Sequence, residues 1–132
     1  MTVKELSQLY WLNREIEMDK RRLEDLEILA ASPKSQKLDS MPHISGYGDA
    51  LALRVADIVD LKAIIAAKQQ QCIYERNRLE RYIAGIDDCF LRQIFTYRFI
   101  NGLPWHQVAA RVGGSNTANG CRMAVNRYLK RN

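Results

Sequence analysis

Residues 105–131 read Trp105-His106-Gln107-Val108-Ala109-Ala110-Arg111-Val112-Gly113-Gly114-Ser115-Asn116-Thr117-Ala118-Asn119-Gly120-Cys121-Arg122-Met123-Ala124-Val125-Asn126-Arg127-Tyr128-Leu129-Lys130-Arg131. The stretch predicts a short helix over 105–112, a glycine turn, and a longer basic helix over 117–131. Pro104 stands where a first helical turn tolerates it. Val108, Ala109 and Val112 give the short helix an apolar contact surface, and Ala109 is small where two helices must approach. Gly113 and Gly114 accept positive φ in the turn. Ser115, Asn116 or Thr117 supplies the side-chain oxygen that caps the second helix. On that helix Cys121, Val125, Tyr128 and Leu129 point inward, which leaves Asn119, Arg122, Met123 and Asn126 outward.

A short helix, a glycine-containing turn and a longer basic helix form the helix-turn-helix pattern, although plain three-helix packing produces it too. In the first case the second helix lies in the major groove of double-stranded DNA. Arginine there pairs with guanine and asparagine with adenine. Arg111, Arg127 and Lys130 suit phosphates, which position a protein without reading sequence. The N–H groups opened by Ser115, Asn116 and Thr117 at the helix start suit a phosphate as well. Gly120 costs the second helix about 1 kcal/mol; it serves close approach to DNA or frays the helix start.

Charge points the same way. The chain carries 20 basic and 15 acidic residues, a net +5. No acidic residue follows Asp88, while Arg92, Arg98, Arg111, Arg122, Arg127, Lys130 and Arg131 all do. The last third therefore carries +7 against −2 for the remainder. A one-signed field attracts polyanions.

Before the pair, Phe90, Leu91, Ile94, Phe95 and Phe99 predict a helix over 89–100, capped by Asp87 or Asp88. Asn101-Gly102-Leu103 reads as its stop, and Gly85 as a break before it. Upstream, Leu51, Ile58, Ile65, Cys72, Leu79 and Ile86 recur every seven residues, flanked by Val55, Leu61, Ala66 and Ile83. They predict one helix over 49–84, capped by Asp49 and about 50 Å long at 1.5 Å per residue. Lys62, Gln69 and Arg76 interrupt the second seam position, so a simple parallel zipper is not dictated. Residues 32–48 hold two prolines and two glycines and read as a linker. Before it, Leu6, Leu9, Leu12, Ile16, Leu23, Leu26 and Leu29 mark one face of a helix over 2–31. Thr2 and Glu5 fit a capping box, and Ser32-Pro33 is the stop. The expected fold is all-α: a long antiparallel helical hairpin over 1–86 and a three-helix helix-turn-helix unit over 87–132. The same heptads allow a homodimer through the hairpin.

Catalysis finds little support. His43 and His106 stand alone, no Gly-rich phosphate loop, GxSxG or HExxH occurs, and no cofactor is indicated. Asp87-Asp88 reads as a helix cap rather than a metal pair. Cys72, Cys89 and Cys121 lack metal-ligand spacing and read as small buried hydrophobes. Tyr10, Trp11 and Trp105 read as core or hairpin packing, and Tyr47 as an exposed anchor. No run of 18 apolar residues spans a membrane, and MTVKELSQLY lacks a signal-peptide core, so the expected location is cytoplasmic.

The segments Ile86-Asp87-Asp88, Arg92-Gln93-Ile94, Tyr97-Arg98-Phe99-Ile100-Asn101-Gly102-Leu103-Pro104-Trp105-His106-Gln107-Val108-Ala109, Gly113-Gly114 and Arg127-Tyr128-Leu129 resemble region 4 of sigma-70-type sigma factors. The closest likeness is to small phage and prophage versions, including transcriptional regulators of the ArpU type. Ser32-Pro33-Lys34, Met41-Pro42 and Asp49 are similar to the linker of those proteins. The resemblance implies binding near promoters, with RNA polymerase as a second partner. It makes 105–112 the positioning helix and 117–130 the recognition helix. With no region 2-like segment upstream, promoter melting is not expected. Two other readings fit the pattern: a phage DNA-packaging protein like a small terminase subunit, and a helical protein-interaction adaptor.

Overall fold

Thr2 accepts the Glu5 amide on its hydroxyl at 3.2 Å while the Glu5 carboxylate takes the Thr2 amide at 3.0 Å. This reciprocal capping box starts α1 (Val3–Leu6). The computed structural model describes residues 1–31 and 44–132. Among them all regular structure is helical, and no strand occurs. The expected single helix over 2–31 is interrupted at Ser7, and α2 covers Gln8–Ala31. At Ser7 the hydroxyl donates to the Val3 carbonyl at 2.8 Å beside the amide of the same residue at 2.9 Å, a back-bond of the kind that bends helices.

The next helix, α3, covers Ile44–Ala84. It begins before Asp49, so Asp49 lies inside the helix instead of capping it. The expected 32–48 linker is helical over its last five residues; the remainder of it, with the Ser32-Pro33 stop and His43, lies outside the described residues. Gly85 follows α3 as expected. Asp88 then caps α4 (Cys89–Phe95), its carboxylate accepting the Phe90 amide at 2.8 Å. The chain stays helical to Ile100, but Thr96–Ile100 widens into a π turn in which the Asn101 amide returns to the Thr96 carbonyl at 3.0 Å. The Thr96 hydroxyl donates to the Arg92 carbonyl at 2.7 Å at this point. Gly102, at φ 70°, closes the segment. Two more helices follow, α5 (Trp105–Val112) and α6 (Ala118–Arg131).

The chain divides into two units, Met1–Asn13 with Gln71–Asn132, and Arg14–Gln70. In the first, Leu6, Leu9, Leu79, Ile83, Ile86, Ile94, Phe95, Phe99, Val108, Ala109, Cys121 and Val125 form one buried cluster. The two ends of the long helices therefore share a core with α4, α5 and α6. Phe95 is fully buried at its centre, with ring centroids of Phe99, Tyr128 and Tyr82 at 5.4, 5.7 and 6.2 Å. Burying a side chain of this size contributes about 1.5–3 kcal/mol.

In the second unit Ile16, Leu61 and Ile65 are buried. Lys68 pairs with Asp19 and Glu15, and Lys62 with Glu27. These pairs run in opposite directions along α2 and α3, as antiparallel packing requires. Several expected core positions are open to solvent. Leu29, Val55 and Ala66 are exposed, because a two-helix layer covers only one side of each helix. In the first unit Trp11 is 58% exposed, with Tyr10 edge-on at 5.1 Å. Cys89 is also exposed, since it occupies the first position of α4 beside its cap.

Candidate nucleic-acid interface

The α5–α6 pair is assembled by small and branched residues. Val108 and Ala109 of α5 and Cys121 and Val125 of α6 are buried in the common cluster. Burial raises the Cys121 thiol above its usual range, which keeps it protonated as a packing group. Gly113 and Gly114 connect the helices at φ 76° and 66°, a backbone region that L side chains seldom adopt. The Asn116 amide group donates to the Gly113 carbonyl at 2.8 Å and ties the turn together.

Of the three candidate caps, Thr117 performs the role. Its hydroxyl accepts the Gly120 amide at 3.0 Å, and the first rung of the ladder runs from the Cys121 amide to the Thr117 carbonyl. The amides of Ala118 and Asn119 precede that ladder, as in any helix start. A Cβ at position 120 would sit 3.0 Å from the Thr117 hydroxyl, tight enough that the cap must give. Gly120 thus fits the cap geometry, a reason the helix propensity alone does not reveal.

On α6, residues at 100° intervals place Asn119, Arg122, Met123, Asn126 and Lys130 on one side. All are exposed except Asn126, which is half-buried. The Arg122 guanidinium donates to the Asn119 side-chain oxygen at 2.7 Å, and the Asn119 amide reaches the Met123 sulfur at 3.6 Å. Arg127 lies at the edge of this face, its Nε donating to the Met123 carbonyl at 3.4 Å. It lines a shallow hollow with Arg131, Asp88 and Phe90. Arg111, Ser115, Asn116 and Thr117 are exposed on the last turn of α5 and in the connection.

Comparisons with protein-family models, curated proteins and solved structures found no match.

The seven cations of the acid-free end separate into two groups. Arg92 donates to the carbonyls of Ile86 and Asp87 and, at 3.0 Å, to the Cys89 sulfur. Arg98 donates to the Leu103 carbonyl at 3.0 Å and lies over the Trp105 ring at 4.7 Å. Both are half-buried and hold the loops before α4 and before α5. Arg111, Arg122, Arg127, Lys130 and Arg131 are exposed, and none of them forms an ion pair among the described residues. In the sequence Arg131 stands out only by its charge; its spacing of four from Arg127 is the signal that pairs the two.

Proposed function

We propose that the chain binds double-stranded DNA through a helix-turn-helix made of α5, the 113–117 turn and α6, and acts as a transcription regulator of phage or prophage type. The observation that carries this reading is the group of five exposed cations with no ion pair among the described residues, in a segment without an acidic side chain. Such a surface gains by releasing the counterions condensed on a polyanion. Arg122 and Asn119 supply the guanidinium and amide that read guanine and adenine edges. Arg111, Arg127, Lys130 and the α6 start supply backbone contacts. In this reading residues 1–86 form a helical hairpin, and the resemblance to sigma region 4 supports RNA polymerase as the second partner.

The test is a salt titration of binding to random duplex and to fragments of the encoding genome. Backbone binding gives a log–log slope of about −0.9 per neutralised phosphate. A tighter subset of fragments at fixed salt identifies a regulator and its site. An absence of binding at low salt overturns the reading.

A further inference from the structure

The Arg14–Gln70 unit carries an open groove of about 470 Å³ between α2 and α3. Its apolar lining is Leu26, Leu29, Leu61 and Ile64. Leu61 is buried, whereas Leu29 and Ile64 stay 50% and 48% exposed. Its polar lining is Arg22, Asp25, Asp57 and Asp60. Arg22 already faces Asp19 at 3.5 Å, while the three aspartates have no ion pair among the described residues.

We infer that this groove docks a basic amphipathic helix of a partner protein. Two packed helices leave the groove between them to be filled by a third, and the half-exposed Leu29 and Ile64 flank the one here. The lining on α2 runs from Arg22 to Leu29, about 10 Å at 1.5 Å per residue, or two helical turns. It therefore takes apolar side chains at i, i+3 or i+4, and i+7 of its occupant. Charge selects the occupant. A second copy of this chain would bring two sets of three aspartates together, a like-charge juxtaposition that disfavours pairing. Lysine or arginine flanking the apolar positions of a partner helix meets those carboxylates instead. The inference is independent of DNA binding.

The test uses the full chain and two synthetic helices of about five turns, one patterned with leucine and lysine, the other with leucine and glutamate at the same positions. Binding is followed by fluorescence anisotropy at low and high salt. Because the chain carries +5 overall, general attraction would favour the glutamate peptide. The expected result is the reverse: the lysine peptide binds, more weakly as salt rises. Asp57→Lys with Asp60→Lys lowers its affinity by about tenfold or more, and Ile64→Ser lowers it as well. Asp25→Asn, a milder change, weakens binding if the double reversal impairs folding. Equal or stronger binding of the glutamate peptide overturns the inference, as does binding of neither. A dimer by light scattering that Ile64→Ser converts to monomer also overturns it, since the groove would then hold a second copy.

Discussion

The carboxylate of Asp19, 6% exposed, accepts a hydrogen bond from Lys68 Nζ at 2.6 Å. Arg22 stands 3.5 Å from its other oxygen, and Glu15 stands 3.5 Å from the same ammonium. No other charged or polar side chain in the described residues is as deeply buried as Asp19. Apolar side chains tolerate sliding of one helix past another, but a buried carboxylate does not, because a shift leaves it unpaired. The pair thus favours one register of α2 against α3.

Asp19→Asn is expected to lower the thermal stability of the Arg14–Gln70 unit more than Glu15→Gln does, since Glu15 is solvent-exposed. The Lys68 ammonium is held above its ordinary value of 10.5, first by the hydrogen bond to Asp19 and then by the attraction of Asp19 and Glu15, with burial opposing. A raised folded-state value means that the contribution is fully present below 10.5 and is lost as pH rises through the folded value. Thermal melts of wild type and Asp19→Asn across alkaline pH check this. Their difference should be constant at neutral pH and shrink above 10.5; a constant difference throughout refutes the pair.

The connection between α5 and α6 rests on one cap and two left-handed glycines. Thr117→Ala removes the acceptor of the Gly120 amide and should cost about 1 kcal/mol. A Cβ at Gly113 would meet nothing within 4 Å, so the cost of Gly113→Ala comes from its backbone conformation alone, φ 76° with ψ −167°, about 1–3 kcal/mol. Urea titrations with unchanged slope and lowered midpoint would register both. A neutral Gly113→Ala would mean that the turn relaxes to a negative φ.

Phe95 has the largest fully buried side chain among the described residues and packs near the rings of three other aromatic residues. Phe95→Ala should cost about 3–5 kcal/mol. Exposed Phe90, five residues earlier on α4, provides the contrast: Phe90→Ala should change stability far less. Equal losses in denaturant titrations would displace the core from Phe95.

Local chemistry was legible in the sequence wherever a feature depends on neighbours within a few residues. Thr2 with Glu5, Asp88 before Cys89, Gly102, and Gly113-Gly114 all act where their side chains or missing side chains predict. The start of α3 was not legible, because Asp49 is a good cap that the chain passes over, and nothing in the periodicity forbids an earlier start. Burial at Val55 and Ala66 failed for a related reason. A seven-residue pattern marks an apolar face, but whether it is covered depends on what packs there. On the candidate interface, composition counted seven equal cations. Only the fold brings the carbonyls of Ile86, Asp87 and Leu103 within reach of Arg92 and Arg98, which separates structural arginines from exposed ones.

The separation of structural from exposed cations puts the proposed DNA binding to a direct test. Arg92→Ala leaves the Ile86 and Asp87 carbonyls without their donor, and Arg98→Ala does the same to Leu103 while removing the cation over Trp105. Each should lower stability by about 1–3 kcal/mol and leave the salt slope of DNA binding unchanged under conditions where the variant is folded. Arg111→Ala and Lys130→Ala should do the opposite, preserving stability and reducing the slope by about 0.9 each. Arg122→Ala should narrow the gap between specific and random duplex, because in the proposed reading its guanidinium, which donates to Asn119, reads a base. If all five variants shift the slope alike, the interaction is diffuse attraction to net charge, and α6 is not a recognition helix.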